Sequence, residues 1–449
     1  MVTKTRILIA LGLAALLGAG GVAFILLHEP GDVSNPNVAF EEEKSKPGGG
    51  AKDAGRQAEK PDFIWPTYGY GPDRRRQVAV PDDFKPPFKR LWHYQGDVLL
   101  EFPPVVSAKS LFILKDDGVV TSIDKANGKA RWAKNVGDLA ASTPHLDVPG
   151  ERLFLTVLEN NQGGPGRAMA VSTNSGNTIW SRDLPSRSES SPILANGLVY
   201  FGSEDGTVYA LKASTGAIEW TYQAAGEVKG GLALKEGRLY FGDYAGKVYA
   251  IRASDGAEIW QASTQGASFG FASGRFYATA AVAYGRVYIG NVDGYVYSFS
   301  AETGELAWRT QTGGYVYASA AVGAPPGGDP TVYAGSYDGV FYALDARSGA
   351  VRWTYAAGGR ISGPSALLGD IVYFGNIETK ETLGLDARTG EKRFEYPRGG
   401  YATVVTDRDQ LFLVGYGGIT GFKSKAMIRN EKRERRRALS AAARERQSD

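Results

Sequence analysis

The residue types that most often carry chemistry are scarce and scattered in this chain. Its 449 residues include three histidines, His28, His93 and His145, and no cysteine. The missing thiol excludes disulfides, thiolate metal sites and a cysteine-borne lipid. The histidines have no partner at metal-ligand spacing, and no Gly-x-Ser-x-Gly elbow stands where a strand would meet a helix. Another pattern does recur. Glu101, Ala141, Glu189, Lys229, Tyr277, Tyr317, Ser362 and Tyr401 each stand just before a short small-residue or apolar strand. Two positions upstream lie Leu99, Leu139, Arg187, Glu227, Arg275, Tyr315, Arg360 and Gly399. Residues two apart on extended chain share a face, so these sets should form two tiers around one mouth. Such a mixture of charge and tyrosine suits gripping a peptide or glycan better than making and breaking bonds.

The elements that would hold these tiers are copies of one unit. Gly-x-x-x-Trp recurs at Gly128/Trp132, Gly176/Trp180, Gly216/Trp220, Gly256/Trp260, Gly304/Trp308 and Gly349/Trp353, and with phenylalanine at Gly390/Phe394. The spacing of 40 to 48 residues marks a supersecondary repeat. Between Ser190 and Gln223, Asn196-Gly197, Asp205-Gly206 and Thr215-Gly216 separate four short runs rich in β-branched and aromatic residues. These are four strands joined by tight turns. A four-stranded sheet cannot bury both faces alone, so the copies must stack radially as a propeller. Seven copies carry their own fourth strand. An eighth, Tyr401 to Phe422, has only three, while an orphan strand around Trp92 precedes the first full copy. The expected fold is therefore an all-β, eight-bladed β-propeller of four-stranded antiparallel blades, whose last blade is closed by the N-terminal strand. The repeat aromatics, Trp92 to Trp353 and Phe394, are expected to be core. Arg74-Arg75-Arg76 reads as a solvated loop cluster.

Phe341-Tyr342-Ala343-Leu344-Asp345-Ala346-Arg347-Ser348-Gly349-Ala350-Val351-Arg352-Trp353 resembles the tryptophan-docking repeat of the PQQ-type (quinoprotein-like) propellers. The resemblance covers about residues 62 to 422 and includes the entry segment Trp65-Pro66-Thr67-Tyr68-Gly69. It implies that the repeat tryptophans pack between blades. It also implies one of two branches: dehydrogenases that hold PQQ with Ca²⁺ over the central channel, or non-catalytic members such as the BamB-like proteins. The innermost strands, such as Ala318-Ser319-Ala320-Ala321-Val322, carry no carboxylate for a cation. The non-catalytic branch is therefore expected, with no cofactor and no metal.

Outside the ring, Ile7 to Leu27 is an uncharged run of 21 residues, preceded by Lys4 and Arg6 and followed by Glu29 and Asp32. It is long enough to span a bilayer, and the charge bias puts the propeller outside the cytoplasm. Cleavage as a signal peptide near Ala19-Gly20-Gly21, giving a secreted protein, is the alternative. The expected layout is an anchor at 1–28, a flexible linker at 29–60, the propeller at 61–422 and a basic tail at 423–449. The tail has ten Lys or Arg against four Asp or Glu, in a chain of net charge +3. It is helix-prone but lacks an apolar stripe. The leading expectation is a monomeric, membrane-tethered, extracytoplasmic binding module for protein or an envelope polymer, without nucleic acid. A small-molecule or glycan sensor and a PQQ-dependent dehydrogenase are the alternatives.

Overall fold

A computed structural model describes residues 31–42, 63–159, 164–264 and 274–448. Eight sheets stand around a common axis, and each has a four-stranded antiparallel core. Blade 3 typifies them, with strands Ile193–Ala195, Leu198–Gly202, Thr207–Lys212 and Ile218–Gln223 running from the axis outward. Innermost strands of neighbouring blades touch around the ring, and Val404–Thr406 of blade 8 meets Val105–Val106 of blade 1. Blade 8 is completed by Phe88–Gln95, which pairs antiparallel with Gly418–Ser424, setting Trp92 opposite Gly421 and Tyr94 opposite Ile419. The orphan strand thus closes the ring and covers an edge that would otherwise offer unpaired backbone.

One contact, repeated seven times, holds neighbouring blades together. The indole Nε1 of each repeat tryptophan donates to a backbone carbonyl in the next blade, over 2.8–3.2 Å, from Trp92 to Lys125 through Trp353 to Ala387. Three residues after each acceptor comes the turn glycine, at φ +70° to +78°. A methyl group there would come within 2.5–2.8 Å of the ring. Glycine therefore serves both the positive φ and the close approach. All seven sit on outer strands; Trp92, Trp260 and Trp308 are buried there, whereas Trp132, Trp180, Trp220 and Trp353 are half-buried. Phe394 on blade 7 faces a blade whose fourth strand comes from elsewhere in the chain, so no third-to-fourth-strand turn is there to accept an indole N–H. It packs instead against Phe88, Tyr373 and Phe422.

The arginine triplet departs from expectation. Arg74 and Arg76 are 0% and 2% exposed. Residues 65–78 wind across the end of the channel opposite the mouth. Their carbonyls accept from innermost strands of blades 2, 4, 5, 6 and 7 in turn: Pro66 from Leu146, Pro72 from Leu234, Asp73 from Val282, Arg75 from Val322 and Arg76 from Leu367. Trp65 pairs with Val106 of blade 1. The Arg74 guanidinium donates to the carbonyls of Tyr68 in its own segment, of Ser191 and Pro192 on blade 3 and of Leu232 on blade 4, and to Thr67 Oγ1. Arg74 and Arg76, with Arg75 half-buried between them, form a plug, because the inner strand edges need partners and a guanidinium offers five donors in a fixed fork.

Two further segments differ from the composition-based layout. Residues 31–42, expected to be linker, lie along blade 5, where Val33–Ser34 pairs with Trp308 and Arg309. Beyond the last strand, Lys425–Ser448 is helical. Its first turns dock, with Met427 buried, Asn430 bonded to Asp83, and Lys423 paired with Glu431. Among the described residues no helix is long and apolar enough to cross a membrane, and the run Ile7 to Leu27 lies outside them.

Candidate functional site

Both tiers read from the repeat register converge at the mouth. Glu101, Glu189, Lys229, Tyr277, Tyr317, Ser362 and Tyr401 line one funnel, whose floor is made by Tyr68, Ser191, Thr279 and Ser319. The second tier is fixed to the rim by backbone bonds. The carbonyls of Arg187, Glu227, Arg275, Tyr315 and Arg360 accept from the amides of Glu204, Tyr244, Val292, Tyr337 and Ile377, over 2.9–3.2 Å.

Those donors form a third tier that the connector register alone does not reveal. A signal for it is present in the sequence, because each stands two residues after the glycine that ends a second strand: Gly202, Gly242, Gly290, Gly335 or Gly375. Glu204, Tyr244 and Tyr337 take part in side-chain contacts with residues of the first two tiers.

On blades 3 to 5 the charges close on themselves. Lys229 Nζ lies 3.0 Å from Glu189 Oε1, 2.9 Å from Glu204 Oε1 and 3.7 Å from Glu227. Arg187 Nε donates to the other Glu204 oxygen at 2.6 Å, and Tyr277 donates to Glu189 at 3.3 Å. Burial holds Glu189 above the usual carboxylate range, against the pull of Lys229. For Glu204 burial pushes the same way, but hydrogen bonds from Arg187 and Lys229 outweigh it and hold the group below that range. Lys229 is penalised by burial, yet its glutamates keep it above its ordinary value. Across the funnel Glu101 has no such cation. Burial, then Asp116 and Glu189, push it up to about 7, and burial takes Asp116 to about 6.

Blades 4 to 6 present tyrosine instead. Tyr317 meets Tyr277, Tyr315 and Tyr337 with ring centroids 4.9–6.0 Å apart, and Tyr244 joins Tyr277 at 6.4 Å. Arg275 lies over Tyr244, and Arg360 lies over Tyr337 while pairing with Glu378. Tyr315 and Tyr416 stand out at 54% and 50% exposure. Tyr401 lines the blade-8 side of the funnel without joining the tyrosine pile. Away from the mouth, His145 is buried on blade 2 and driven down to about 3 by desolvation, and His93 on blade 8 is bonded to Thr420, Gln95 and Arg398.

The family model described as outer membrane protein assembly factor BamB, PQQ_2, matches residues 116–292 and 292–443, most of the chain. The chain belongs to this PQQ-type β-propeller family. Curated members include BamB of Salmonella typhimurium (strain LT2), 30% identical over 107 residues, 24% of this chain and 25% of that protein. BamB of Escherichia coli (strain K12) is 31% identical over the same length. The chain therefore aligns with about a quarter of the length of these PQQ-type relatives. Among solved structures, BamB from Moraxella catarrhalis superposes with a TM-score of 0.61 at 16% identity, over 75% of this chain and 99% of that one. Quinohemoprotein alcohol dehydrogenase from Comamonas testosteroni gives 0.65 at 13% identity, over 80% of each chain. At these identities the likeness is one of fold, which PQQ-type enzymes and an assembly factor share.

The family's quinone cofactor can be tested against this mouth. The funnel encloses about 50 Å³, where a pocket for a molecule of that size spans roughly 300 Å³ or more. Glu189 and Glu204 are committed to Lys229 and Arg187, and among the described residues no group of three or more His, Cys, Asp or Glu could hold a metal ion. The residues present do not fit a quinone with its cation.

Proposed function

We propose that this chain is a membrane-tethered, extracytoplasmic propeller that docks a protein on its mouth without catalysis. The observation that carries this reading is the rim itself: a continuous tyrosine pile on blades 4 to 6, flanked by Arg275 and Arg360 and set beside an ion-pair cluster that is already neutralised. Tyrosine and arginine are the residue types that dominate protein–protein hot spots, because they bury large area and still offer polar tips. A funnel of about 50 Å³ cannot engulf a ligand, so recognition would run across the rim. Membership in a family that includes BamB supports a binding role in the envelope. The run Ile7 to Leu27 would be the anchor.

The test is photocrosslinking in the native membrane from a benzoyl-phenylalanine at Tyr315 or Tyr416, with Ser254, exposed on the opposite face, as control. A discrete protein adduct is expected at the mouth positions, lost on Tyr317→Ala. Equal adducts from Ser254, or none at either mouth position, would refute the proposal. The glycan alternative draws on the same tyrosine faces. It would be favoured instead by thermal stabilisation with an envelope sugar that Arg275→Ala removes.

A further inference from the structure

Residues 31–42 form a strap where composition alone predicts part of a loose tether. Asp32 accepts from the amide of Gln311 at 2.7 Å, at the mouth end of the outer strand of blade 5. Val33 and Ser34 pair with Arg309 and Trp308, Asn35 donates to the carbonyl of Ala307, and the chain runs on to the opposite face. There Val38 is 4% exposed. Phe40 stacks on Tyr284 at 5.3 Å, with the guanidinium groups of Arg347 and Arg286 4.5 and 5.4 Å from its centroid. Arg286, itself buried, donates to the carbonyls of Val38 and Ala39 at 2.6 and 3.0 Å, and Glu42 pairs with Arg347.

Blade 5 is adapted to this strap. Its first hairpin turn places Tyr284 at φ +54°, where blades 3 and 4 place Asn196 and Glu236. A bulky aromatic in that region is strained, and the surroundings must hold it there. The outer strand Leu306–Gln311 is buried along most of its length, whereas the equivalent strands Ile218–Gln223 and Val351–Ala356 are largely exposed. Trp308 accordingly is the one repeat tryptophan with 0% exposure among those described.

The strap shortens the tether. Only five peptide steps separate Leu27 from Asp32, a reach of about 18 Å when fully extended. Resting on the anchor reading above, we infer that the strap holds the mouth corner of blades 5 and 6 next to the membrane, and that the mouth's partner is the extramembrane surface of an integral protein of that membrane. The tyrosine pile lies at this corner, since Tyr315 follows Gln311 by four residues. Bare lipid fits less well. Arg187, Lys229 and Arg360 are each paired with a glutamate, so the rim lacks the net positive charge that anionic headgroups select.

The native chain has no cysteine, so a single introduced one reports position. The full chain, carrying a donor dye at Tyr315→Cys or Ser254→Cys, is reconstituted into liposomes with acceptor-labelled headgroups. A six-residue strand and its loops separate the two faces by about 20–30 Å, and transfer from Tyr315 should exceed that from Ser254 by about two-fold or more. Inserting about 20 Gly/Ser residues between Gly31 and Asp32 should erase the difference. Equal transfer from both sites in a chain that floats with the vesicles would overturn the orientation. A chain that fails to float overturns the anchor reading instead. In native membranes, the protein captured from Tyr315, once identified and followed in its uncrosslinked form, should itself resist carbonate extraction. An adduct only to a soluble protein, or only to lipid, overturns the partner assignment.

Discussion

Replacing Gly128 by alanine should cost far more than the same change at Gly197, although the two backbones are almost alike. Their φ angles are +73° and +77°, so each substitution carries the left-handed penalty of about 1–2 kcal/mol. The surroundings differ. Nothing lies within 4 Å of a methyl at Gly197, whereas one at Gly128 would stand 2.5 Å from the Trp92 ring, which stacks there while donating to the Lys125 carbonyl at 2.8 Å. Carbon atoms in contact prefer about 3.5–4.0 Å, so the indole must move. Overpacking adds about 1–3 kcal/mol, and loss of the indole hydrogen bond adds about 1 kcal/mol. The expected cost is therefore about 3–6 kcal/mol for Gly128→Ala against about 1–2 kcal/mol for Gly197→Ala. Urea unfolding of the full chain in detergent micelles, followed by tryptophan fluorescence, measures both. The decisive arm is a double-mutant cycle. In a Trp92→Ala background the clash is gone, and Gly128→Ala should fall to the Gly197→Ala value. Equal costs in the wild-type background, or a Gly128→Ala cost unchanged by Trp92→Ala, would refute blade docking through this contact.

Three other outcomes are expected from the mouth and the strap. Glu101 is held near 7 against 4.5 when unfolded, so the folded chain keeps a proton that the unfolded chain loses between those values, and stability falls as pH rises through that window. Glu101→Gln should stabilise the protein by about 1–3 kcal/mol at pH 8 and by almost nothing at pH 4.5, which melting curves across pH will check. Lys229→Met strands Glu189 and Glu204 without their shared cation and should cost about 3 kcal/mol at pH 8. It should cost less at pH 5, where the carboxylates take up protons, and a pH-independent loss would argue against the ion cluster. Phe40→Ala should release the strap and raise hydrogen exchange along Leu306–Gln311, with the other outer strands unchanged; unaltered protection there would show that the strap does not cover blade 5.

The ring is legible because repetition turns a weak local signal into a strong one. One hairpin turn means little, but the same turn glycine ahead of an aromatic residue seven times fixes the period, the strand count and the missing fourth strand of blade 8. The same register locates the funnel residues, since equivalent positions in every copy must sit at equal height around the axis. Aligning the loop after the second strand in the same way would locate Glu204, Tyr244 and Tyr337 too. The arginine triplet and the strap resist such reading because neither is part of a repeat. Each occurs once, in polar sequence, and each owes its burial to surfaces made by distant blades.

The sequence by itself determined the number of blades, their strand content, the closure through Trp92 and the residues that reach the mouth, because these depend on local periodicity and on copies being alike. Only the tertiary structure decided what fills the channel, which carboxylates are neutralised and where the N-terminal segment runs. Those features depend on unsatisfied backbone groups and charges from blades far apart in the chain. Arg74 is solvated or buried according to whether blades 3 and 4 present their inner carbonyls to it, and nothing in its neighbours along the chain records that they do.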